Sequence, residues 1–208
     1  IWGLIYLALI AYLIYQWIGY FKNQNDLSLI PSGIWFIVAN LSNALWIYVW
    51  VNEQILLSVL VILVLLFSLI QLVIRLRLET YDAPLKTIFF VWWPICLYIG
   101  WVILATVLTL SVGIKNTGIL DDIWTETGWA ALVIIVATSI YALLTYYRNM
   151  REAALVGAWG ITAIAAKQWE LNDTLSIVAV VMVGVLVVIV AIHGFINRKT
   201  SIPAKMAD

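Results

Sequence analysis

The feature that most constrains this chain is a series of apolar runs, each close to the roughly 20 residues a helix needs to cross a bilayer's hydrocarbon layer. Seven follow one another, at 1–20, 32–51, 54–74, 87–113, 127–147, 153–166 and 174–196. The sixth is short and rich in Ala and Gly, so a tilted, partly buried or re-entrant helix is expected there. A soluble domain carries about 25% charged residues. Here 65% of residues are hydrophobic and 11% charged, too few polar groups to cover such a surface in water. The fold class that follows is all-α, a polytopic transmembrane helix bundle with seven visible spans. The partner it implies is the lipid bilayer.

The cations support this division. All eleven Lys and Arg residues fall between spans, at their ends or in the tail. After odd-numbered spans come Lys22; Arg75, Arg77 and Lys86; Arg148 and Arg151; and Arg198, Lys199 and Lys205, nine in all. After even-numbered spans there are two, Lys115 and Lys167. Positive charge collects on the cytoplasmic side, so the C-terminus is expected inside and Ile1 outside, in a bacterial inner membrane. Asp121, Asp122 and Glu126 then form an acidic outer loop. The formal net charge is zero, and nothing points to nucleic acid.

Within the spans there is no Asp, Glu, Lys or Arg, the usual marks of proton relays and ion-coupled transport. The last span has no lysine for a retinal, which excludes a rhodopsin. Cys96 is the single cysteine, so no disulfide framework or cysteine-cluster metal site is available; it reads as a packing residue. His193, the single histidine, is a candidate axial haem ligand or proton-transfer group. A lone His one turn from a basic helix end is more often interfacial or hydrogen-bonded. No metal cluster, nucleophile–base pair or carboxylate pair is visible, so an enzyme is not expected.

What remains are amides, hydroxyls and aromatics. Asn40 and Asn43, three apart, share one face of the second span; they either join helices or line a ligand cavity. Trp17, Tyr20, Trp50, Trp124, Trp129, Tyr146, Tyr147 and Trp169 sit at span ends, as interfacial anchors do. Trp2, Trp46, Trp93, Trp101 and Trp159 do not fit that belt so simply. Gly157 and Gly160, with Ala153 and Ala154, make the sixth span a close-packing helix.

The motifs add a resemblance. Trp2-Gly3-Leu4-Ile5-Tyr6 opens the first span, and Asn43-Ala44-Leu45-Trp46 lies in the second. Tyr98-Ile99-Gly100-Trp101 is followed by Ala105, Leu108 and Thr109 in the fourth. Their order and spacing resemble the TspO/MBR family, the tryptophan-rich sensory proteins related to the mitochondrial translocator protein. The resemblance implies a five-helix core that binds porphyrins, haem-related tetrapyrroles and other hydrophobic ligands in an aromatic-lined pocket. By position it makes Trp2, Tyr6, Asn43, Trp46, Tyr98, Trp101, Ala105 and Leu108 candidate ligand-binding residues. It also implies one more helix before residue 1. The family's closing Asn is Thr109 here, and Leu110-Ser111-Val112-Gly113 replaces the run that recognises sterols, so the resemblance does not extend to sterols.

The expected organisation is a TspO-like core over 1–113, a polar non-cytoplasmic loop over 114–126, and a three-helix extension with a basic tail over 127–208. The expected function is a sensor, carrier or scavenger of a hydrophobic ligand, a tetrapyrrole or haem, with no resident cofactor assigned. Two other readings stay open. One is a structural or accessory subunit of a larger membrane complex; the other is a transporter of an uncharged solute. A homodimer or a larger membrane complex is the assembly expected, and a homodimer would count against the accessory-subunit reading.

Overall fold

The structure, a computed structural model, describes residues 1–22, 29–119 and 123–197. Asp121, Asp122, Arg198, Lys199 and Lys205 lie outside these. Every regular element among the described residues is helical. The helices are α1 (Trp2–Phe21), α2 (Leu29–Val51), α3 (Ile55–Arg75), α4 (Leu85–Lys115), α5 (Glu126–Arg148), α6 (Arg151–Gln168) and α7 (Asp173–Ile196). They follow the expected spans to within a few residues, because a helix in lipid must run unbroken until its backbone groups reach water. All but α6 are long and apolar enough to cross a membrane.

Two local departures have backbone causes. In α2 the helix breaks at Gly33, whose φ of 44° and ψ of −137° no side-chain-bearing residue holds comfortably. In α4 the segment Ile88–Trp92 widens into a π-turn just before Pro94. Proline has no N–H for the carbonyl four residues back, and a wider turn absorbs the mismatch.

Three helix ends among the described residues carry recognisable caps. Thr125 Oγ1 accepts from Gly128 N at the start of α5, and Asn172 Oδ1 accepts from Leu175 N at the start of α7. Asn172 Nδ2 also donates to Thr127 Oγ1 at 2.7 Å, tying those two helix starts together. Asn149 closes α5 in the left-handed region at φ 57°.

α4 is the axis of the bundle. Its best apolar window is 61% buried, against 22–44% for the other candidate spans. α1 and α3 pack on it from the N-terminal half, α5 and α6 from the C-terminal half, while α2 lies on α3 and α7 on α5 and α6. Lipid tails are as apolar as leucine, so helices are held together by close packing and hydrogen bonds rather than by escape from water.

The α4–α5–α6 seam is built that way. A Cβ on Gly100 would sit 2.8 Å from the Ala153 Cα, so α4 and α6 touch backbone to backbone. A Cβ on Gly157 would run into the Tyr141 ring. That ring has no exposure, and its hydroxyl donates to the Gly100 carbonyl at 2.6 Å. The small-residue spacing thus does mark α6 as a close-packing helix.

Candidate functional site

On the opposite side of α4 the packing is made of rings. α1 runs antiparallel to α4, with Tyr15 stacked on Phe90 and Trp2 meeting Trp101 edge to face. The Trp2–Trp101 centroids are 6.1 Å apart, and Trp2 stacks on Tyr6 at 5.4 Å. Such tilted and offset pairs are the favoured aromatic geometries. Trp101 also lies against α6, 3.4 Å from the Cβ position of Gly160, so Gly160 gives the ring its room.

α2 supplies the polar part. Asn43 is 4% exposed and donates to Tyr6 Oη at a long 3.5 Å. Tyr98, fully buried, donates to the Ala39 carbonyl one turn before Asn43, at 3.3 Å. Asn40 instead bonds the Phe36 carbonyl of its own helix at 2.7 Å. Of the two amides, Asn43 is therefore the one that joins helices.

Several polar atoms here are left over. Asn43 Oδ1, Trp46 Nε1 and Trp101 Nε1 are buried without a hydrogen-bond partner. Buried polar groups are nearly always paired, and an exception calls for an explanation such as a water or ligand. Two indole N–H donors and an amide acceptor among aromatic faces suit a flat molecule with polar substituents.

The expected residues do not all meet. Trp2, Tyr6, Asn43 and Trp101 are linked by contacts, and Tyr98 joins through Ala39. Trp46 is one turn beyond Asn43, and its ring stacks on Trp50 at 6.0 Å. Ala105 is half-buried against the core, and Leu108 is 38% exposed. His193 is on α7, beside Asn197 Nδ2 at 3.2 Å from its Nε2, and α7 does not contribute to this crossing.

A neighbouring network escaped the sequence reading. Gln16, 4% exposed within α1, donates to Tyr12 Oη at 2.9 Å and to Ser32 Oγ at 3.2 Å, just before the break at Gly33. The signal was a lone Gln inside an apolar run, four residues from a Tyr.

In comparison with known proteins, the model of the family described as TSPO-like protein matches residues 1–192. The match continues past the 1–113 stretch that carries the motifs, through α5 and α6 and into α7. No curated protein and no solved structure matches the chain.

Proposed function

The chain belongs to the TSPO-like family, and on that footing we propose that it binds a flat hydrophobic ligand, a porphyrin-type tetrapyrrole, at the α1–α2–α4 crossing. The observation that carries this reading is the pair of unpartnered atoms Asn43 Oδ1 and Trp101 Nε1 beside the rings of Trp2 and Tyr6, with Trp46 Nε1 also unpartnered one turn further along α2. A tetrapyrrole offers dispersion and stacking contact to the rings. Its peripheral carboxylates accept hydrogen bonds from indole N–H groups. The single histidine lies off this crossing, so the reading requires no axial iron ligand from it. Sensor, carrier and scavenger are the roles such capture serves.

Titrating purified protein with metal-free protoporphyrin while following Trp fluorescence tests this. Saturable quenching at one ligand per chain, weakened by Trp101→Ala and Trp46→Ala, is expected. Quenching that never saturates removes the reading; a stoichiometric membrane partner copurifying in its place would favour an accessory subunit.

We also propose that the C-terminus faces the cytoplasm, from the nine-to-two distribution of Lys and Arg. This orientation counts α6 as a span. The motif-bearing 1–113 and the three helices after it are proposed as core and extension.

A further inference from the structure

The end of the bundle where α3 stops and α7 finishes gathers a second polar group, unrelated to the aromatic crossing. Glu79 from the α3–α4 loop, Cys96 from α4 and Glu152 from the first turn of α6 converge there. The Cys96 sulfur and one carboxylate oxygen from each Glu all lie within 4.8 Å of one another. Cys96 is a free thiol with no exposure, while both glutamates stay partly open.

The surroundings hold these groups in place. Glu79 sits at a φ of 55° and Asn149 at 57°, two non-glycine residues in the left-handed region. Asn149 Nδ2 donates to Glu79 Oε2 at 3.1 Å, so the short α5–α6 link orients that carboxylate. Glu152 Oε2 is different: it is buried and has no hydrogen-bond partner. Two guanidinium groups lie at this end of the bundle. Arg148 Nη2 donates to the Leu78 carbonyl, and Arg151 Nη1 lies 3.2 Å from the Cβ position of Gly194 on α7. Asn149 Oδ1, Arg151 Nε and the fully buried Thr145 Oγ1, all within one stretch of chain, are unpartnered too.

Two carboxylate oxygens and a thiol sulfur within 4.8 Å of one another are close enough to share a single cation. We propose that Glu79, Cys96 and Glu152 form a binding site for a divalent transition-metal ion of the zinc class. Sulfur beside carboxylate oxygens is a donor set that zinc accepts and that magnesium and calcium do not favour. Three protein ligands leave a fourth position for water. On binding, the sulfur–metal bond forms as the thiol proton leaves to solvent, and no electron moves. Asn149 positions Glu79 as an outer-shell partner.

The test uses the full chain in detergent, stripped with a chelator and titrated with Co²⁺. One equivalent is expected to give a near-ultraviolet thiolate-to-cobalt charge-transfer band that Zn²⁺ removes. Cys96→Ser abolishes the band, Glu152→Gln weakens Zn²⁺ binding at least about tenfold, and Asn149→Ala weakens it about 10–100-fold. Protoporphyrin quenching stays unchanged in all three, which separates this site from the crossing. A folded wild-type chain with no such band overturns the proposal, as does Zn²⁺ affinity unmoved by Glu152→Gln. Should Cys96→Ser fail to fold, Glu152→Gln, at a partly open side chain, still decides.

Discussion

The two sides of α4 are joined to their neighbours in opposite ways. Toward α5 and α6 the contact is glycine against backbone and ring, and the Tyr141 hydroxyl is satisfied by the Gly100 carbonyl. Toward α1 the contact is ring against ring, at 5.5 and 6.1 Å between centroids, and on α4 and the adjoining α2 two buried indole donors and an amide acceptor are unpaired. In lipid the first arrangement is what holds helices together, since close approach maximises dispersion contact. The second gives up that closeness and leaves polar atoms for something else to satisfy. On the proposed function, the first is a frame and the second takes the ligand.

Substitutions can break this contrast. The largest expected effect is Gly157→Ala. Alanine is the better helix former by roughly 1 kcal/mol, but its methyl group would enter the Tyr141 ring, which burial and its hydrogen bond prevent from swinging away. A net destabilisation of about 2–3 kcal/mol is expected, read from unfolding in mixed detergent. Gly160→Ala sharpens the point. Its nearest neighbour is the terminal methyl of Leu104, which can rotate, so a smaller loss is expected. Tyr141→Phe keeps the ring and removes the bond to Gly100, for a loss of about 1 kcal/mol. Gly184→Ala, with open space around its Cβ position, is expected to stabilise the chain by up to about 1 kcal/mol in the same assay. Trp46→Phe, on the other side, removes a donor that has no partner, and stability is expected to change by less than about 0.5 kcal/mol.

The helices themselves were legible because lipid enforces length and apolarity on each one. The close-packing role of α6 was legible too, since Gly157 and Gly160 are a local signal. The break at Gly33 and the π-turn before Pro94 were not, because the residues involved also occur in unbroken membrane helices. Of the candidate site, Trp2, Tyr6, Asn43 and Trp101 meet as a group, whereas Leu108 stays exposed, and spacing along one helix does not say which neighbour a residue faces. Gln16 was overlooked because its partners, Tyr12 and Ser32, look unremarkable in an apolar run. The approach of Glu79, Cys96 and Glu152 has no sequence signature, since loop, α4 and α6 contribute one residue each and only the fold brings them together.

The central claim is that the α1-facing side of α4 receives the proposed tetrapyrrole while the Gly100–Tyr141–Gly157 seam holds the bundle. The most direct test measures protoporphyrin affinity and unfolding for Trp46→Phe and Tyr141→Phe in parallel. The account predicts that Trp46→Phe loses affinity roughly fivefold, about 1 kcal/mol, with stability nearly unchanged. Tyr141→Phe should lose stability and keep its affinity. If instead Tyr141→Phe weakens binding and Trp46→Phe leaves it intact, the ligand does not sit at the aromatic crossing.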